Sequence, residues 1–197
     1  GATWTSNGRY GGAYEFDGSS SYIDLGNKQM LKNFPLSISC WFYAHEVPEL
    51  AAGIISPGTV SANPGMEIGF HDNRLHINAM NPLTGEGESN QETNTSVSSH
   101  EWVHVVGVWS GNSSEEIKLY KNGFLANEKL PNDQGLDPST SLYIGATSKT
   151  GSDSLHFNGL IDEVRFYNKT LSASEVKQLY MSNLRKYDTD KWQLYVN

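Results

Sequence analysis

The chain has only one cysteine, Cys40, so no disulfide can form within it. That residue sits in Leu36-Ser37-Ile38-Ser39-Cys40-Trp41-Phe42-Tyr43. Alternation there puts Ile38, Cys40 and Phe42 on one face of a strand and predicts a buried, inert thiol. The lack of disulfides points weakly to a reducing compartment, since bacterial and archaeal surface proteins often lack them too. Basic residues are scarce: 14 Lys and Arg stand against 22 Asp and Glu, a formal charge of −8. Phosphate binding needs clustered cations, so nucleic acid is excluded as a partner and anionic polysaccharides are disfavoured. No apolar run approaches the roughly 20 residues of a membrane span, and no charged segment followed by an apolar one opens the chain. Gly1-Ala2-Thr3-Trp4 reads as the middle of something, which predicts a domain excised from a longer protein whose export signal lies elsewhere.

Signatures of catalysis are missing as well. There is no Gly-x-Ser-x-Gly turn for a serine nucleophile and no His-Glu-x-x-His spacing for a metal. Glu86 and Glu88 share a face if extended, but they lie in a glycine-punctuated loop, a poor platform for chemistry. His71 and His76 flank an Asp72-Asn73 turn and are predicted to approach one another as surface hairpin histidines.

What the chain has in quantity is β-branched and aromatic runs set between Gly, Asn, Pro and Ser, the pattern of a sandwich. The predicted strands are Ala13–Phe16, Tyr22–Leu25, Leu36–Ala44, Gly53–Ser56, Met66–His71, Arg74–Ala79, Trp102–Trp109, Glu116–Lys121, Phe124–Lys129, Leu142–Ala146 and Gly159–Tyr167. Asn122-Gly123 supplies the two positive-φ positions of a type I′ hairpin turn. Trp102–Trp109 is apolar on both faces and reads as a central strand, with His104 within it a core histidine whose hydrogen bonds are satisfied. One short helix begins at Ser172, where Glu175 three residues on completes a capping box and Val176, Leu179 and Tyr180 form the packing stripe. Residues 1–182 are expected to form one domain. Residues 183–197 read as a last strand or a linker, and Asp188 and Asp190 alone do not make an EF-hand loop.

Several blocks in order resemble laminin-G-like domains of the concanavalin A-like jelly-roll superfamily. They are Gly12-Ala13-Tyr14-Glu15-Phe16-Asp17-Gly18 with Tyr22-Ile23-Asp24-Leu25-Gly26, then Ser37-Ile38-Ser39-Cys40-Trp41 and Glu101-Trp102-Val103-His104-Val105. Ile117 through Gly123, Leu142-Tyr143-Ile144-Gly145, and Gly159 through Val176 follow. The resemblance implies an all-β, two-sheet antiparallel jelly-roll sandwich with the first and last strands close together. It also implies a frequent structural calcium site where those ends meet. Asp17 and Asp162 match its acidic positions, with oxygens near Gly18 and Ser20 completing the shell. Ser21 departs from the pattern, which often has an acidic residue there. The other account of the same residues is that Asp17 opens a tight turn and Asp162 bonds backbone amides, with no metal.

Relatives in the wider superfamily that hydrolyse β-glucans carry Glu-x-Asp-x-x-Glu on one strand, and no such run occurs here, so no catalytic residue is assigned. Binding is the expected role, since sugar sites need an aromatic platform beside groups that pair with hydroxyls. The candidates are Trp41, Tyr43 and His45 on one strand, Glu67, Arg74 and Asn78 on neighbouring strands, and Trp109. The expectation is a calcium-stabilised, non-catalytic recognition module of an extracellular or cell-surface protein, monomeric as an isolated domain. Its partner would be carbohydrate or another surface protein, with no membrane insertion. The competing expectation is a structural or adhesive spacer. Sequons at Asn94, Asn112 and Asn168 matter only in a eukaryotic secretory pathway.

Overall fold

A computed structural model describes residues 1–27, 35–49, 51–57, 66–79, 93–110, 117–129, 141–147, 155–182, 184–188 and 191–194. Its strands are β1 (Thr3–Gly8), β2 (Gly11–Asp17), β3 (Ile23–Asn27), β4 (Leu36–Ala44), β5 (Ala51–Ser56), β6 (Met66–His71), β7 (Arg74–Ala79) and β8 (Thr93–Ser96). They continue with β9 (Trp102–Trp109), β10 (Ile117–Lys121), β11 (Phe124–Lys129), β12 (Ser141–Ile144), β13 (Asn158–Tyr167), then helix α1 (Ala173–Met181), β14 (Leu184–Asp188) and β15 (Lys191–Leu194). Two antiparallel sheets form the jelly roll: β1-β2-β13-β4-β9-β10-β11, and β3-β12-β5-β6-β7-β8. β14 and β15 pair antiparallel as a separate two-stranded sheet, where a single strand or a linker was expected. Glu86, Glu88 and Asn112 lie outside the described residues.

Alternation builds the core. Leu36, Ile38, Cys40 and Phe42 of β4 meet Ile68 and Phe70 of β6 and Leu75 and Ile77 of β7 between the sheets. Phe42 packs edge-on to Phe70 and Phe157. Burial pushes the Cys40 thiol far up, helped by the nearby Asp162 carboxylate, so it is inert at neutral pH. β9 is apolar on both faces for two separate reasons. Val103, Val105 and Trp109 face the main core, whereas Val106 and Val108 join Tyr120, Leu171 and Val176 in a second cluster beneath α1. Hence the outer face of the seven-stranded sheet is part covered by the helix and part open.

Local chemistry sets the connections. Asn122 and Gly123 take φ of 50° and 83°, and Asp72 and Asn73 take 48° and 62°, the positive pairs that two-residue hairpins need. Ser172 caps α1 with both halves of the capping box present. β1 and β8 were missed by pattern because Thr-Trp-Thr-Ser-Asn-Gly and Thr-Asn-Thr-Ser have no apolar alternation. Both gain their strand conformation from ladders with β2 and β7.

Candidate functional site

The site grows from one irregularity in β13. Asp162 stands opposite Trp41 but Arg165 stands opposite Ser39, so β13 takes up one extra residue against β4. Glu163 absorbs it with φ of 52°, a left-handed conformation for a residue with a Cβ. The Asp162 carboxylate holds the bulge, accepting hydrogen bonds from the Glu163 amide at 2.7 Å and from the Tyr10 amide, 152 residues away in sequence, at 3.0 Å. Its burial raises the carboxyl pKa, against the lowering effect of those amides. The bulge also aims Glu163 and Arg165 sideways as an ion pair over the outer face of the sheet.

Beneath that pair lies a cleft of about 730 Å³, within the range of small-ligand sites. Trp41, Tyr10, Leu171 and Leu179 supply its apolar wall, and Ser39, Gln178 and Ser182 add neutral polar groups. Lys169 pairs with Glu175, whose carboxyl is held down at about 2 chiefly by that lysine and by the Ser172 amide. Trp41 is crowded: Tyr180 stacks on it at 5.6 Å between centroids, Tyr10 meets it edge-on at 5.8 Å, and the Arg9 guanidinium lies 4.7 Å above its ring. His104, directly opposite on β9, lies 5.1 Å from Trp41. Burial, with the Arg165 charge adding to it, lowers the His104 pKa to about 4, so the ring is neutral at physiological pH. Its Nδ1 is buried with no hydrogen-bond partner among the described residues, so His104 is not the satisfied core histidine expected.

The ligand candidates do not form one surface. Trp41, Tyr43 and His45 share the outer face of the seven-stranded sheet, where Tyr43 contacts Trp102, His45 and His100 and His45 lies 3.8 Å from Glu15. Glu67, Arg74 and Asn78 belong to β6 and β7 of the other sheet, with Glu67 and Asn78 opposite each other in the ladder. Trp109 is 1% exposed in the main core, because it shares the inward parity of Val103 and Val105. Trp109 therefore packs between the sheets and cannot serve as a sugar platform. The expected approach of His71 and His76 is seen, with ring centroids 6.0 Å apart, although His76 is buried.

The metal candidates do not converge either. Asp17 faces Asn158 across the β2–β13 ladder, and Asp162 lies four positions further along, roughly 13 Å at about 3.3 Å per residue. The Asp17 carboxylate is already enclosed by donors. Oδ1 accepts from the amides of Ser19, Ser20 and Ser21 and from the Ser21 hydroxyl, and Oδ2 accepts from the Ser20 hydroxyl. Ser21, which stands where the family often has an acid, closes the loop by also accepting from the Asp17 amide at 2.6 Å. With Oδ1 filled by donors and Asp162 roughly 13 Å away at about 3.3 Å per residue, Asp17, Gly18, Ser20 and Asp162 do not come together as one calcium shell. The amide bonds, with the Ser20 hydroxyl, hold the Asp17 pKa far below the usual carboxylate range. A depressed pKa contributes stability above the unfolded value of about 4, and that contribution is lost as pH falls through the folded value. Asp17→Asn is expected to lower the melting temperature more at pH 7 than at pH 2.5, with EDTA changing neither protein. A fall in melting temperature on EDTA treatment would put a cation on this loop.

Tyr10, Glu163 and Arg165 in the cleft wall and Tyr180 against Trp41 join the candidate site without having been expected there. Only the close spacing of Glu163 and Arg165 carried a signal, and the bulge that brings them together has no signature in the sequence.

The family profile for laminin-G-type domains of the concanavalin A-like lectin/glucanases superfamily matches residues 17–177. No curated protein matches the chain. Among solved structures, the binding domain of Paraclostridial Mosquitocidal Protein 1 superimposes with a TM-score of 0.71 at 18% identity, over 93% of this chain and 47% of that one. Domain 4 of AbnA, an extracellular arabinanase from Geobacillus stearothermophilus, gives 0.67 at 20% identity over 91% and 81%. The binding domain of botulinum neurotoxin serotype G gives 0.67 at 15% identity over 95% and 47%. This chain thus spans about half the length of the toxin binding domains it matches. At these identities the likeness establishes the jelly-roll fold.

Proposed function

Because the chain belongs to the concanavalin A-like lectin/glucanases superfamily, we propose that it is a non-catalytic carbohydrate-recognition module of an extracellular or cell-surface protein, with its sugar site in the cleft beside α1. The observation that carries this reading is the combination of an aromatic wall, Trp41 and Tyr10, with the Glu163–Arg165 and Lys169–Glu175 pairs on the rim. Aromatic faces take the C–H face of a pyranose or furanose, and fixed carboxylate and guanidinium groups make paired hydrogen bonds to adjacent hydroxyls. Both rim cations are already neutralised by glutamates, which favours a neutral sugar over a uronic or sialic acid. Domain 4 of the Geobacillus arabinanase was solved in complex with arabinotriose, and a botulinum neurotoxin binding domain in complex with SialylT, which support a glycan as ligand class.

A screen of neutral and acidic oligosaccharides should give saturable binding of neutral ligands. Arg165→Ala should weaken it at least tenfold, as loss of a charge-assisted hydrogen bond of about 1.5–3 kcal/mol implies. Arg74→Ala, on the other sheet, should leave it unchanged. Loss of binding with Arg74→Ala and retention with Arg165→Ala would move the site to the six-stranded sheet.

An adhesive or protein-binding role is the second reading. It is favoured by Phe124, 63% exposed beside the exposed Leu125 at the β10–β11 turn, with Lys177 over the Phe124 ring.

A further inference from the structure

We propose that Tyr180 occupies, in the free protein, the place of a ligand ring: a neutral sugar displaces it from Trp41 and takes His104 Nδ1 as a hydrogen-bond partner. The inference rests on the carbohydrate reading of this cleft and names the subsite within it.

Three observations carry it. The Tyr180 ring lies nearly parallel to the Trp41 ring, 21° between planes at 5.6 Å, which is how a sugar ring stacks on an indole. Tyr180 also lies 6.0 Å from the His104 ring, so the one side chain covers both groups. His104 is 2% exposed and keeps a buried nitrogen without a hydrogen bond among the described residues. Burying such an atom unpaired is unfavourable, so a hydrogen-bonding group that reaches it gains that bond on arrival. The closed arrangement is therefore incomplete at His104, and a ligand hydroxyl completes it.

The cover is also weakly attached. Val176 is the one buried residue of α1, Met181 is 57% exposed, and no basic side chain stands in the last turn to offset the helix dipole. Tyr180 contributes ring contacts and no hydrogen bond among the described residues, and it rests against Gly123 of the β10–β11 turn. Among the described residues, moving the last turn breaks the Tyr180 ring contacts and the packing of Leu179, which are contacts and not hydrogen bonds to the sheet, so a ligand can compete for the Trp41 face. The intrinsic affinity of the uncovered subsite is reduced in the wild type by the small fraction of time the cover is open.

The test is calorimetric titration of arabino-, xylo- and cello-oligosaccharides into wild type, Tyr180→Ala and the milder Tyr180→Leu, with tryptophan emission followed in parallel. Removing the cover should raise affinity at least tenfold in both variants. It should also red-shift the emission of the free protein, with the shift reversed on binding. Adding His104→Phe, which keeps a ring between Trp41 and the sheet but deletes the nitrogen, should cancel most of the gain without lowering the melting temperature. Wild-type binding with equal or weaker binding by both Tyr180 variants would overturn the proposal and show Tyr180 to be ordinary packing, while leaving the carbohydrate reading in place. Failure of all the proteins to bind any probe would overturn both.

Discussion

Gly159→Ala should destabilise the fold by about 4 kcal/mol, the largest loss expected of any single substitution discussed for this chain. Gly159 has φ of 151°, and a Cβ built there would lie 2.1 Å from the carbonyl oxygen of Tyr43 and 2.9 Å from the Phe157 ring. The first of those atoms is backbone in the middle of the sheet, where Gly159 faces Ala44 on β4 and Phe16 on β2, so neither neighbour can yield without breaking a ladder. Backbone strain and overpacking of this kind each cost about 1–3 kcal/mol, and together they reach about 4 kcal/mol. Against a typical domain stability of about 5–15 kcal/mol that is a large share. A drop in melting temperature of roughly 8–16 °C follows, at about 2–4 °C per kcal/mol for a domain of this size. A change below about 3 °C, measured by circular dichroism, would contradict this packing.

Asp162→Ala comes second, with an expected loss of about 2–4 kcal/mol in denaturant unfolding. Two amides, those of Tyr10 and Glu163, lose their acceptor, and an unsatisfied, partly buried group costs about 1–3 kcal/mol. The bond to Tyr10 is also what ties the β1–β2 hairpin to the bulge, so loss of Asp162 should weaken ligand binding at Arg165 as well as stability. Asp162→Asn keeps one acceptor and should cost about half as much. Its pH dependence has the opposite sign to that of Asp17. A carboxyl whose folded pKa is raised contributes stability that is complete below its unfolded value of about 4 and is lost as pH rises through the folded value. The gap between wild type and Asp162→Asn should therefore be wider at pH 3 than at pH 7. A gap that widened toward neutral pH would mean that the amide bonds, not burial, dominate at Asp162.

The strands could be read from the chain because each has one dry face and one wet one. Ile38, Cys40 and Phe42, or Ile117 and Leu119, announce their sheet by alternation alone. Ser172 with Glu175 and Asn122 with Gly123 announce a cap and a turn through local hydrogen bonding and φ, which need no distant partner. β1 has no such mark, being polar and held mainly by its ladder with β2.

The site was harder to read because it depends on which strands become neighbours. Trp41 stands out in the sequence as an aromatic residue on a strand, but Trp109 is indistinguishable from it until its parity with Val105 is set against the packed sheets. Arg74 and Glu67 looked like neighbours of Trp41, yet the jelly-roll connection sends β6 and β7 to the opposite sheet. Asp17 and Asp162 do lie on adjacent strands, as the resemblance implies, and only the ladder register shows them four positions apart. A one-residue bulge then decides that Glu163 and Arg165 pair over the cleft.

The most direct test of a sugar site on the outer face of the seven-stranded sheet is amide chemical-shift mapping of the isotopically labelled domain with the tightest neutral oligosaccharide from the screen. The account predicts that the largest shifts cluster at Trp41, His104, Glu163, Arg165 and the last turn of α1, with β6 and β7 unchanged. Shifts centred on Glu67 and Arg74, or on the exposed Trp4 and Tyr14 of the β1–β2 edge, would contradict it.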